Sequence, residues 1–209
     1  PTHTHTHAHT HKMANVPTSL AQFERVFGKK ITEYITQRSV LDISGKCDTL
    51  EKVLALTSVL VANVEIPDWN GKLFLNNNKI GDVGATVLGA GLESNTSLTV
   101  LGLSENEIGD DGATALGDGL ETNTTLTALG LTNNQIGGIG AAALGDGLKT
   151  NTTLTALDLA NNQIGGDGAK AFGAVLKTNA ALTWIDLSRN NIGDVGAAAL
   201  GDGLKTNTT

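Results

Sequence analysis

Asp158 and Asp186 lie 28 residues apart, in the near-identical segments LTALDLANN and LTWIDLSRN. If these segments form neighbouring parallel strands, the two acids stand about 5 Å apart. That separation suits the paired carboxylates of a retaining glycosidase, one as nucleophile and one as acid. Such a site also needs a cleft, walls on which a sugar can stack and one raised pKa. The neighbouring sequence supplies Trp184 and no second aromatic. The pair therefore reads as solvated acids, or as a contact for a cation or basic side chain, and not as a catalytic dyad.

Other chemistry-bearing residues are scarce. His3, His5, His7, His9 and His11 alternate with small residues in PTHTHTHAHTHK, directly before Met13, the one methionine. Imidazoles in such a tract bind zinc, nickel or copper, but the pattern reads as a purification tag, so no native metal site is expected. Without the tag there is no histidine, which removes Ser-His-Asp and Cys-His nucleophile systems. Cys47 is the only cysteine, so no internal disulfide can form, and it reads as packing. Gly-x-Gly pairs recur, but inside helical segments, and no phosphate-binding loop is present. No cofactor is implied, and the chain is not expected to be an enzyme.

What the sequence does carry is a repeat. LTVLGLSENEIGD at Leu98 returns as LTALGLTNNQIGG at Leu126, LTALDLANNQIGG at Leu154 and LTWIDLSRNNIGD at Leu182, and a worn copy, NGKLFLNNNKIGD, starts at Asn70. Each copy begins 28 residues after the last. A fixed period of this length marks a solenoid. The pattern L-x-x-L-x-L-x-x-N-x-I resembles the leucine-rich repeat, and the 28-residue unit with a helical second half resembles its ribonuclease-inhibitor-like subclass. The resemblance implies an α/β, right-handed horseshoe with a parallel sheet on the concave face and helices on the convex face. It also implies that Asn78, Asn106, Asn134, Asn162 and Asn190 stack as a ladder whose amides satisfy backbone groups. Six strands are expected, centred on 41–43, 73–75, 101–103, 129–131, 157–159 and 185–187.

The periodicities assign the remaining roles. Leu101 and Leu103, and their equivalents, alternate along a strand and point inward. Ala113, Leu116 and Leu120 make the inner stripe of a helix. Asp82, Asp110 and Asp194 are expected as N-caps, with Gly138 and Gly166 in that place in the third and fourth copies. Two glycines in each LGDGL cost about 1 kcal/mol apiece against alanine, which close helix-to-helix approach would offset. Asn95, Asn123, Asn151, Asn179 and Asn207 are expected as left-handed C-caps. Four of them also form N-x-S/T sequons, which the turn's own chemistry explains without sugar.

Residues 1–12 are thus the tag, 13–69 an N-terminal helical cap with an irregular first repeat, and 70–209 five regular repeats without a C-terminal cap. In the cap, Ser19 with Gln22 and Asp48 with Glu51 fit capping boxes, Gly28 ends the first helix, Ile31 to Ile35 form a short turn, and 48–61 a helix. Either the natural array continues past Thr209, or the open end pairs with something, most simply a second copy docked end to end. The period of two in the tag offers a rival added strand.

The face with the most freedom to bind is the concave one. Its candidate residues are Lys72, Phe74, Asn76, Ser104, Thr132, Asp158, Trp184, Asp186, Ser188 and Arg189. The middle positions, Gly102, Ala128, Gly130, Ala156 and Ala160, are small, and side chains with reach stand at the two ends. Trp184 occupies a position that is alanine in the two preceding copies, so it reads as exposed and resembles an interface anchor. The competing reading packs it sideways over the last strands.

Composition narrows the partner. The net charge is −7, and residues 73–209 hold 14 acids against 6 bases. An acidic array disfavours nucleic acid and anionic membrane, and favours a protein partner with basic character. No apolar run approaches a membrane span, and the segment after Met13 lacks a signal peptide's apolar stretch, so a cytoplasmic location is expected. The expected function is non-catalytic protein binding through the concave face. The alternatives are a small-GTPase regulator, because the array also resembles Ran GTPase-activating proteins, and a self-assembling structural unit. The arginines Arg25, Arg38 and Arg189 fall in no motif matching the first alternative.

Overall fold

The computed structural model describes residues 20–35, 41–47, 49–61, 66 and 68–209. Residues 1–12, Ser19, Arg38 and Asp48 lie outside the described residues, as does the side chain of Gln22, so neither expected capping box falls within them. The elements run α1 (Leu20–Phe27), a 3-10 turn (Ile31–Tyr34), β1 (Leu41–Asp42), α2 (Leu50–Val61), β2 (Lys72–Phe74), α3 (Gly81–Ser94), β3 (Val100–Gly102), α4 (Asp110–Thr122), β4 (Ala128–Gly130), α5 (Gly138–Thr150), β5 (Ala156–Asp158), α6 (Gly165–Thr178), β6 (Trp184–Asp186) and α7 (Gly193–Leu204).

The strands pair in sequence order, all parallel, as one six-stranded sheet. The register follows the repeat: Leu73, Leu101, Leu129, Leu157 and Ile185 stand side by side. This is a right-handed leucine-rich-repeat solenoid, with the sheet on its concave face and the helices outside. β1 begins where expected, and β2 to β6 are each centred one residue earlier than the leucine spacing suggests, because the second motif leucine bonds across to the next strand after the ladder proper ends, as Leu103 does to the Gly130 carbonyl (2.7 Å). The core between the layers is aliphatic, with Leu101, Leu103, Ile108, Leu116 and Leu120 all fully buried. At the N-terminal end Phe23, Phe27 and Tyr34 pack ring on ring, and Lys52 lies over the Phe27 ring at 5.9 Å. Gly28, with φ +69°, ends α1. Leu50, the first residue of α2, stands 47% exposed.

The asparagine ladder forms. Asn134 Oδ1 accepts the Asn106 and Ile108 N–H groups (3.1 and 3.0 Å), and its Nδ2 donates to the Leu103 and Leu131 carbonyls (both 3.0 Å). Asn162 and Asn190 repeat this for Ile136 and Ile164. At the worn end the rung is irregular. Gly81, at φ +56°, donates its N–H to the Asn106 backbone carbonyl, and Asn106 Oδ1 is buried without a partner among the described residues.

A second ladder replaces the expected left-handed C-caps. Asn95, Asn123, Asn151 and Asn179 are extended, with φ from −68° to −79°. Each side chain spans two repeats: Asn123 Oδ1 accepts the Thr125 and Leu126 N–H groups, and Nδ2 donates to the Leu92 and Asn95 carbonyls. The amide can satisfy carbonyls of the preceding helix end only if the backbone has already turned toward the next strand, and that turn excludes the left-handed form. Asn95, Asn123 and Asn151 are also buried, with both ends of the amide engaged, so their sequons present no free acceptor.

Asp82 and Asp110 cap, but not their own helices, and Asp194, in the first turn of α7, makes no cap bond among the described residues. Asp82 lies inside the first turn of α3, and its Oδ1 accepts Gly109 and Gly112 N–H at the start of α4 (2.7 and 3.0 Å). Asp110 does the same for Gly137 and Gly140 at α5 (2.8 Å each). Stacking in register puts these carboxylates nearer the next helix's free N–H groups than their own. Where the preceding repeat has Gly138 or Gly166 in that place, the helix enters through a left-handed glycine instead, Gly165 at φ +65° and Gly193 at φ +63°.

The helical glycines serve close approach. A Cβ on Gly119 would stand 2.4 Å from the Gly89 carbonyl oxygen, and one on Gly147 2.2 Å from that of Gly117. Val175 occupies the equivalent place on α6, so α6 stands off from α5. Accordingly a Cβ on Gly145 would meet nothing nearer than the Ala171 methyl at 3.2 Å, where its counterparts Gly89, Gly117 and Gly173 would strike backbone within 2.6 Å.

Candidate functional site

The concave face is built from the first and third positions of each strand and the residue two beyond. The third positions, Phe74, Gly102, Gly130, Asp158 and Asp186, stand in one row across the sheet. Phe74 lies over its neighbour, since a Cβ on Gly102 would meet Phe74 Cδ1 at 2.5 Å. Gly130 is different, because the heavy atom nearest its absent Cβ is 3.8 Å away. The floor is therefore covered at β3 and open at β4.

This relief makes a shallow groove of about 220 Å³. Phe74 and Trp184 stand at its ends, Ala128, Gly130 and Ala156 line its floor, and Asn76, Ser104 and Asp158 contribute its polar groups. Five of the sequence-derived candidates thus come together: Phe74, Asn76, Ser104, Asp158 and Trp184. Lys72, Thr132, Asp186, Ser188 and Arg189 lie outside the groove lining. Thr132 keeps a buried hydroxyl with no hydrogen-bond partner among the described residues.

Trp184 is 50% exposed and stands in register with Ala156. Its ring also borders an apolar hollow of about 300 Å³ beyond β6, lined by Leu182, Ile185, Leu187, Leu200 and Leu204. It stands between the two recesses, half exposed.

Asp158 and Asp186 are register partners on β5 and β6. Each folds back on its own chain. Asp158 Oδ1 accepts the Ala160 N–H at 3.0 Å, and Asp186 Oδ1 accepts that of Ser188 at 2.8 Å. The Ser188 backbone N–H, then its hydroxyl, hold the Asp186 carboxyl below the usual carboxylate range; partial burial opposes this and Arg189 adds to it. An acid catalyst needs the opposite displacement.

Two features of the surface are not legible in the motif itself. The residue preceding each ladder asparagine is left-handed: Asn77, Glu105, Asn133, Asn161 and Arg189 have φ between +53° and +60°. Asparagine at three of the five was the available signal. Glu105 and Arg189 hold the same conformation with bulkier side chains, at about 1–3 kcal/mol of strain each. The second feature is charge. Residues 98–125 hold Glu105, Glu107, Asp110, Asp111, Asp118 and Glu121 and no Lys or Arg. The array's acidity is concentrated on this one repeat, where all but Asp110 are exposed. Counting charge per repeat, rather than over the array, would have revealed it. Glu105 and Glu107 border a rim hollow with Asn77 and Lys79.

Comparison with known proteins agrees with this architecture. The sequence profile described as Leucine Rich repeat matches residues 72–89, 94–117, 122–145, 150–173 and 178–201. A search of curated proteins finds no matching sequence. Among solved structures, one titled Leiomodin-1 Actin-Binding Site 2 is similar at TM-score 0.60 and 24% identity, over 75% of this chain and 88% of that one. The tropomodulin C-terminal domain of Caenorhabditis elegans is similar at TM-score 0.55 and 15% identity, over 74% and 92%. At these identities the likeness concerns the fold.

Proposed function

Because the chain belongs to the leucine-rich repeat family, we propose that it is a non-catalytic protein-binding module that takes its partner on the concave sheet face. The observation that carries this is the groove itself, with small residues in the middle and a half-exposed Trp184 at one end. A large aromatic beside an open floor can bury substantial apolar area on contact and lose little side-chain entropy. That one of the similar structures is titled as an actin-binding site is consistent with such a role, without assigning actin to this chain. The test is affinity capture on the immobilised protein, comparing the parent with Trp184→Ala/Asp186→Ala and with the convex-face change Ala90→Arg. Partners should be lost from the first variant and retained by the second. Equal capture by the parent and the concave variant contradicts the proposal.

A second reading rests on the apolar hollow beyond β6, where Leu204 is 58% exposed. A second copy docked there would cover Ile185, Leu187 and Leu200 in an isologous contact. Sedimentation at several concentrations tests it, and appending a polar-faced capping repeat after Thr209 should abolish the association.

A further inference from the structure

We propose that the groove between Phe74 and Trp184 receives one Lys or Arg side chain of the partner, with its charged head on Asp158. The proposal rests on the concave-face reading and names the chemistry that would occupy it. Three observations converge. First, the floor at β4 is open, with Gly130 offering no side chain and Ala128 and Ala156 beside it, so a long aliphatic stem can lie flat across it. Second, Asp158 is the only charged residue lining the groove among the described residues, and it is the register partner of Gly130 on the adjacent strand. Its carboxylate makes one hydrogen bond among the described residues, accepting the Ala160 N–H through Oδ1, which leaves Oδ2 for a guest. Third, Trp184 closes the same end with half its surface exposed, and an exposed indole can attract a cation.

A long basic side chain matches this division in a way that neither an acidic nor a purely apolar guest does. Its methylenes cover apolar floor while its head stays at the polar end. A carboxylate guest would meet Asp158 as a like charge. An apolar guest would strip water from that carboxylate and return no partner. Arginine fits best, because its planar guanidinium can stack on an indole and bond a carboxylate together.

The experiment is selection of a phage-displayed random dodecapeptide library on the full chain, followed by binding measurements with the selected peptides. The blocking variants are Gly130→Trp and, should that lose its fold by circular dichroism, Ala128→Trp. The selected peptides should share one Lys or Arg and should lose binding to the blocked protein. Asp158→Asn keeps the acceptor for Ala160 and should weaken binding at least tenfold, whereas Asp186→Asn, outside the groove, should change it less than twofold. Replacing the shared basic residue of the peptide by Gln should match the Asp158→Asn loss. Peptides that need an open groove but carry no basic residue, or that ignore Asp158→Asn, overturn this proposal and leave the concave-face reading standing. Peptides that bind the blocked protein as well as the parent overturn both. Failure to select any groove-dependent peptide overturns the proposal as well.

Discussion

Replacing Asn134 by leucine tests the assignment of inside and outside along the whole array. In the parent, Asn134 Oδ1 accepts two backbone N–H groups, from Asn106 and Ile108, and its amide donates to the Leu103 and Leu131 carbonyls. Asn134 itself is buried. Leucine is close in size but can serve none of these groups. Two stranded N–H donors cost about 1–3 kcal/mol each. Burial of the leucine methyl groups returns about 1–2 kcal/mol at most, so the net loss lies within about 0–5 kcal/mol and centres on about 2–3 kcal/mol. With a urea dependence of about 2 kcal/mol per molar, the unfolding midpoint should fall by about 1–2 M. The control is Ser104→Ala on the concave face, where the change should stay within about 0.5 kcal/mol. Urea titration followed by far-ultraviolet circular dichroism reads both. Equal shifts for the two variants would refute the ladder as a source of stability and the assignment of faces with it.

Other outcomes follow from the helix layer and the charges. Gly147→Ala should destabilise by about 1–3 kcal/mol, because its Cβ would press on the Gly117 carbonyl, while Gly201→Ala meets open space and should stabilise by up to about 1 kcal/mol; thermal melts compare them. Gly138→Asp should supply the carboxylate that α6 lacks, since its Cβ would stand 3.6 Å from the Gly168 nitrogen, and should gain about 0.5–1 kcal/mol, with Asp110→Ala losing a similar amount at α5. Asp186 has a depressed folded pKa, so its contribution is present above the unfolded value and lost as pH falls through the folded one. Asp186→Asn should therefore flatten the acid limb of the stability curve below about pH 4 and leave the slope near neutrality unchanged.

The fold was legible because one short motif fixes it repeatedly. Leu101 and Leu103 show period two, Leu116 and Leu120 show helical spacing, and Asn106 recurs in phase, so each copy confirms the next. What the motif could not show were interactions between copies. Read within its own repeat, Asp110 is a good N-cap; only stacking makes the α5 amides its nearer partners. Asn123 likewise reads as a turn residue until the carbonyls of Leu92 and Asn95 appear beside it. The candidate site was half legible. The sequence places Phe74, Asp158 and Trp184 on one face, but only the packing of Phe74 over Gly102 shows that the opening lies at Gly130. Thr132 and Arg189 shared that face by position, yet the groove excludes them.

The proposed function places the partner on the sheet and not on the helices. Site-specific photocrosslinking tests it most directly, with benzoylphenylalanine placed once at Ala128 on the concave face and once at Ala90, exposed on α3. In an extract of the native cells, irradiation should yield a discrete crosslinked partner from position 128, competed away by unlabelled parent protein, and none from position 90. A competed crosslink from position 90 alone would contradict the account.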